Sequence, residues 1–225
     1  MQRGFFVTGT DTGIGKTWAA TALLDALNAA GHHAVGMKPV ASGCEPDAQG
    51  RLVNEDALAL QAASRPRPDY ALCNPYALRE AVAPHLAAAR QGVTIDIERI
   101  RAAYDALAAQ ATHMVVEGAG GWYVPLTPSR MFCDLPRVLD LSVVLVVGVR
   151  LGCINHACLS ARAIVADGFH LAGWIANRVD PHMSYADDNI ATLRQLLTTP
   201  CLGVLPHGDP AAAAAALDLG LLADE

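Results

Sequence analysis

Short runs of consecutive apolar residues alternate along this chain with longer stretches in which apolar positions recur every three or four residues. Residues 5–8, 34–39, 113–117, 142–147, 171–176 and 201–205 form the short runs. Their length and β-branched content predict strands. The run Ser-Val-Val-Leu-Val-Val at 142–147 has no polar alternation, which predicts a central strand covered on both faces. The longer stretches predict helices over 17–30 (closed by Gly31), 56–63, 95–111, 156–166 and 186–197. In 95–111, Ile97, Ile100, Tyr104 and Leu107 share one helical face. Polar, glycine-containing 43–51 reads as loop, and the alanine run 211–216 as a helical turn. Strand and helix in alternation predict an α/β fold, a mostly parallel central sheet flanked by helices on both faces. No Pro-, Gly- or Ser-rich linker and no repeat interrupts the series, so a single domain over residues 1–225 is expected.

Composition narrows the function. Hydrophobic residues are 52% and charged residues 17%, values of a well-buried globular protein. A net charge of −6 and only 5% aromatics argue against a nucleic-acid partner. The longest apolar run is strand-sized, so no membrane span is expected, and the N-terminus lacks the pattern of a signal peptide. Six cysteines without CxxC spacing read as reduced thiols, which implies a cytoplasmic protein.

The candidate chemistry begins after the first strand, at Gly9-Thr10-Asp11-Thr12-Gly13-Ile14-Gly15-Lys16-Thr17. A glycine-rich turn between strand and helix presents successive N–H groups to an anion, and the helix adds its positive end. This is the context of a P-loop NTPase, with the first glycine one position early. Gly13, Ile14, Gly15, Lys16, Thr17 and Trp18 are then expected to hold ATP phosphates, with Lys16 on the β- and γ-phosphates and the Thr17 hydroxyl on Mg²⁺. The apolar strand Met114-Val115-Val116 ends in Glu117-Gly118. A carboxylate there lies at the carboxyl edge of the sheet, where ligands of open α/β folds gather, and suits Mg²⁺.

Six segments, in order, resemble dethiobiotin synthetase: Thr8 to Thr12, Gly15-Lys16-Thr17, Lys38-Pro39-Val40-Ala41-Ser42-Gly43, Asn54 to Leu60, Val116 to Gly121, and Val147-Gly148-Val149-Arg150-Leu151-Gly152-Cys153-Ile154-Asn155-His156. The similarity spans essentially the whole chain, and the Lys-Pro-Val-x-Ser-Gly and Leu-Gly-Cys-Ile-Asn-His segments are its most specific parts. The resemblance implies that 7,8-diaminopelargonic acid takes up CO₂ as a carbamate. ATP then phosphorylates the carbamate to a carbamic–phosphoric anhydride, and the second amine closes the ring to dethiobiotin. It assigns Lys38, Lys16 and Thr12 to catalysis and Ser42 to substrate. Thr17, Asp56 and Glu117 form a hard oxygen set for Mg²⁺, and Glu117, Gly118, Ala119 and Gly120 face the nucleotide. It further implies a homodimer in which Gly152, Cys153, Ile154 and Asn155 bind the substrate's tail carboxylate at the interface. Read without the resemblance, Asn155 is an ordinary helix N-cap.

The base-binding end departs from the family pattern. Asn177 matches, but Arg178 replaces an acidic residue, and Pro206-His207-Gly208 stands where a stacking segment is expected. Asn177-Arg178-Val179-Asp180 has the outline of a guanine-reading element, and Asn189 stands where a tyrosine is common. The rival from another class is a ParA/MinD-like ATPase switch. That branch carries a signature lysine early in the loop, where this chain has Asp11, and it needs a basic face or an amphipathic tail, whereas this tail reads Leu221-Leu222-Ala223-Asp224-Glu225.

Overall fold

The computed structural model describes residues 3–222; Met1, Gln2 and the last three residues, on which part of the reading of the two ends rests, lie outside them. In chain order the first half comprises β1 (Arg3–Gly9), α1 (Lys16–Ala29), β2 (Ala34–Met37), β3 (Val40–Ser42), β4 (Glu45–Pro46), β5 (Leu52–Val53), α2 (Glu55–Ala63), α3 (Tyr70–Cys73), β6 (Tyr76–Leu78), α4 (Pro84–Gln91) and α5 (Ile97–Ala108). The second half comprises β7 (His113–Glu117), β8 (Pro125–Thr127), β9 (Arg130–Met131), α6 (Leu135–Leu139), β10 (Ser142–Gly148), α7 (Cys153–Ala166), β11 (Leu171–Asn177), α8 (Ala186–Leu196), β12 (Cys201–Leu205) and α9 (Pro210–Ala215).

Six strands form one sheet in the order β12-β11-β10-β1-β7-β2, every pairing parallel. Successive residues of its strands feed two cores. Phe6, Met114, Val116, Leu145 and Trp174 point into one, with α5 and α7. Phe5, Val7, Val115, Val144 and Ile175 point into the other, with α1. This is the physical meaning of the unbroken apolar runs: period 2 holds, but both faces are buried. The predicted strands and the main helices are present with ends shifted by at most three residues.

Three local features were not legible in the sequence. The predicted loop at 43–51 contains a short strand, β4, which pairs antiparallel with β5 just beyond it. β3 leaves the main sheet after Pro39 and pairs in parallel with β6, a contact between residues 36 positions apart that no local pattern encodes. α7 begins at Cys153, three residues before the predicted start, with Gly152 at φ 93° as its N-cap. Asn155 therefore lies inside the first turn and is not the cap. Among the described residues no helix is long and apolar enough to cross a membrane.

The topology puts the carboxyl ends of β1 and β7 side by side, with connections leaving in opposite directions along the sheet, β1 toward β2 and β7 toward β10. Such a reversal opens a crevice at the carboxyl edge. Gly148, at the end of β10, seats the phosphate loop there: a Cβ on it would stand 2.7 Å from Cβ and Cγ2 of the buried Ile14. Gly148→Ala is expected to force Ile14 outward at a cost of about 1–3 kcal/mol. Calorimetry should record a melting temperature lower by roughly 3–10 °C, and an unchanged value would show that Ile14 yields without strain.

Candidate functional site

The loop after β1 curls because Gly13 and Gly15 take positive φ, 71° and 78°. Gly15 is also the N-cap of α1, and a Cβ there would be strained by the positive φ and would meet the Asn177 Nδ2 at 2.1 Å, displacing that amide. That amide nitrogen donates to the Ile14 carbonyl at 2.9 Å and ties the loop to the end of β11. The turn brings Lys16 into the crevice, where its ammonium donates to the Asp11 carbonyl at 2.9 Å. Burial, then the like charge of Lys38, lower the Lys16 pKa from 10.5 to about 8.

Lys38 follows β2 and is held by its backbone: its N–H donates to the Cys73 carbonyl at 2.8 Å, and its carbonyl accepts from Asn74 Nδ2 at 2.7 Å. The side chain is buried, with Nζ 2.5 Å from Glu117 Oε1, 2.9 Å from Asp56 Oδ2 and 3.2 Å from the Gly118 carbonyl. Burial alone would lower its pKa, but Glu117 and Asp56 outweigh burial and hold the ammonium above its ordinary value. For Asp56 burial works the other way, and Lys38 outweighs it to keep the carboxyl below the usual range. Burial pushes Glu117 up against the pull of Lys38. Asp56 reaches this point because Asn54 caps α2, its side chain accepting the Asp56 and Ala57 N–H groups, while its Nδ2 donates to the Ser42 carbonyl at 3.4 Å.

Thr17 Oγ1 donates to Glu117 Oε1 at 3.0 Å, and Glu117 Oε2 is buried without a partner. An orphaned carboxylate oxygen beside a hydroxyl and a second carboxylate is a donor set for a hard divalent cation. Among the described residues no three His, Cys, Asp or Glu gather as a complete metal cage. Ser42 Oγ is likewise buried without a partner.

These groups line one cavity of about 830 Å³. Thr12, Lys16, Thr17, Lys38, Ser42, Asp56, Glu117 and Gly120 are on its wall, with apolar Val40, Ala81, Val82 and Val124. The structure thus joins residues from five separate segments. It does not bring Gly152, Cys153, Ile154 or Asn155 to the cavity; they form the head of α7, with Gly152 and Asn155 exposed and Cys153 buried. Asn177 and Leu205 are in register on neighbouring strands, so Arg178 and Pro206-His207-Gly208 meet at the same sheet edge. The Arg178 side chain pairs with Asp187 of α8. Sequence reasoning missed the residues that only position others. Asn54 was findable as a cap preceding two acidic residues. Asn74 and the apolar turn at 81–84 carried no signal.

The AAA domain family model matches residues 3–215. The ATP-dependent dethiobiotin synthetase of Xanthomonas oryzae pv. oryzae (strain PXO99A) is 62% identical over 211 residues, 94% of each chain. That of Xylella fastidiosa (strain 9a5c) is 57% identical over 206 residues, 92% of this chain and 91% of the other. Among solved structures, the septum site-determining protein MinD of Pyrococcus horikoshii with Mg-ADP superposes with TM-score 0.58 at 13% identity, covering all of this chain and 90% of that one. A ParA family ATPase from Chlorobium tepidum gives 0.57 at 15% identity, over 99% and 93%. At such identities these two define the fold alone.

The lowered Lys16 pKa makes a prediction about the ligand-free protein. A pKa lower in the fold than in the unfolded chain means that the protonated lysine opposes folding at neutral pH, by about 3 kcal/mol. That cost fades between pH 8 and 10.5, where the folded state has released the proton and the unfolded state still holds it. Lys16→Met should therefore be more stable than wild type at pH 7 in chelator, with the difference shrinking as pH rises to 10.5. A pH-independent difference in paired thermal melts would contradict this.

Proposed function

The chain belongs to the ATP-dependent dethiobiotin synthetase family, and from that premise we propose how its own residues carry out the family's reaction. The enzyme uses ATP and Mg²⁺ to carboxylate 7,8-diaminopelargonic acid with CO₂ and close the ring, giving dethiobiotin, ADP and phosphate. The reaction runs through a carbamate and a carbamic–phosphoric anhydride. What carries the assignment of roles is the buried Lys38 ammonium, fixed by Glu117 and Asp56 at the wall of the cavity that the phosphate loop opens into.

Two anions, a carbamate and a triphosphate, must approach each other, and their repulsion is offset only by fixed positive charge between them. Lys16 serves the phosphates from the loop, and Lys38 meets the carbamate from the wall of the same cavity. Lys38 Nζ is held by Glu117, Asp56 and the Gly118 carbonyl, and it turns to the carbamate as Asp56 and Glu117 take up Mg²⁺. The Thr12 and Ser42 hydroxyls orient carbamate and γ-phosphate oxygens; the unpartnered, buried Ser42 Oγ supports that role. Thr17, Asp56 and Glu117 hold Mg²⁺, which when bound neutralises charge on the phosphate oxygens. Ring closure needs chiefly that the second amine be held against the activated carbonyl carbon, a proximity effect.

Asn177 supports adenine as the base. Its amide nitrogen is committed to the Ile14 carbonyl, which leaves its oxygen as an acceptor, matching an exocyclic amine and opposing the guanine carbonyl. Asp180, the acidic residue of the guanine-reading outline, accepts the His182 N–H at 2.9 Å within its own turn. The gap between the cavity and the head of α7 supports a homodimer in which Gly152 to Asn155 serve the substrate tail near the interface. Leu151, in the turn before α7, and Leu159, on the helix, are 95% and 59% exposed, as an apolar interface requires. A cytoplasmic setting accords with six free cysteines.

Purified protein given MgATP, bicarbonate and 7,8-diaminopelargonic acid should release ADP in step with dethiobiotin, and only with the diamine present. ADP release that ignores the diamine would refute the reaction. Lys38→Met should lose at least about a hundredfold in turnover. It should also destabilise the fold by about 3–5 kcal/mol, because Glu117 is left as a buried, unpaired carboxylate. Ser42→Ala should retain the stability and lose roughly tenfold in turnover; equal losses of stability in both variants would contradict the separate roles given to them.

A further inference from the structure

Asp11 is an acidic residue in a loop built to receive polyanions, and its acceptor groups are engaged. Oδ1 accepts the Thr12 N–H at 2.7 Å, the main-chain carbonyl accepts Lys16 Nζ at 2.9 Å, and Oδ2 pairs with Arg150 at 2.5 Å. Arg150 comes from the turn between β10 and α7. Its own carbonyl accepts the Cys153 N–H at 3.0 Å, and the preceding Val149 N–H donates to the Asn177 carbonyl at 2.8 Å. The pair thus fastens the Thr12 end of the phosphate loop to the head of α7, across 139 positions of sequence.

Stability does not explain this placement. The two side chains are 44% and 47% exposed, and an ion pair in that setting adds at most ~1 kcal/mol. Charge argues for a functional reason. Unpaired, the Asp11 carboxylate would stand against every anion that enters the loop, and it would be free to turn away from the Thr12 N–H.

We infer that Arg150 is a positioning residue of the phosphate loop: by pairing with Asp11 it neutralises that carboxylate and holds the loop in the shape that presents Thr12 and Lys16 to the nucleotide. Neither Asp11 nor Arg150 lines the cavity, so the effect passes through the loop and not through contact with substrate. The inference rests on the reading of the loop as the nucleotide site and adds the residue that keeps it competent.

The test is calorimetric titration of MgADP into wild type, Arg150→Met, Arg150→Lys and the double variant Asp11→Asn with Arg150→Met. Arg150→Met should raise Kd about tenfold, and Arg150→Lys should recover most of the loss. The double variant should return to within about threefold of wild type, because the charge that required Arg150 is gone. Exposure of both residues means that all variants fold, and a thermal melt of each verifies it. A Kd for Arg150→Met within twofold of wild type would overturn the inference, as would a double variant that binds no better than Arg150→Met. Turnover of wild type with the diamine is measured alongside. Wild type that binds MgADP and makes no dethiobiotin would sink the proposed reaction, while the MgADP comparison would still decide the role of Arg150.

Discussion

A buried ammonium must be paired, and the pairing of Lys38 fixes the relative positions of three parts of this fold. Glu117 ends β7, Asp56 opens α2, and Lys38 itself sits at the break where β2 gives way to β3. Each carboxylate is costly to bury alone, and so is the lysine. Together they satisfy one another: the two carboxylates favour the charged form of Lys38, and Lys38 favours the charged form of Asp56. The cluster is thus one object with two roles, closing the carboxyl edge of the sheet and fixing a positive charge beside the phosphate loop.

Around it the backbone supplies what side chains do not. Gly13 and Gly15 turn the loop, and the Asn177 amide anchors it to β11 through Ile14. Asn54 and Asn74 hold α2 and the Lys38 peptide from either side. Three asparagines therefore do for this site what second hydrogen bonds do for metal ligands: they take away the freedom of the groups that react. The hydroxyl of Ser42 and one oxygen of Glu117 are left without protein partners, and the proposed function gives these positions to reactants and metal.

The fold and the reacting residues were legible to different degrees and for different reasons. The parallel sheet was readable because burial on both faces writes a continuous apolar run into each strand. The phosphate loop was readable because glycine spacing, a lysine and a hydroxyl lie within nine consecutive residues. Lys38, Ser42 and Asp56 were reached through resemblance, since a lone lysine at a strand end or an acid at a helix start is ordinary by itself. The start of α7 was misplaced because Gly152 caps it by conformation and not by a side chain, and that leaves only a weak mark.

By itself the sequence determined the alternation of elements, the phosphate loop and, with family likeness, the reaction. These are properties of local periodicity and of short contiguous motifs. Only the tertiary structure decided that Lys38 lies between Glu117 and Asp56, that β3 pairs with β6, and that Arg150 reaches Asp11. Each of these joins residues far apart in the chain, and their meeting depends on how the strands are ordered and on which buried charges must be satisfied. No local pattern records either one.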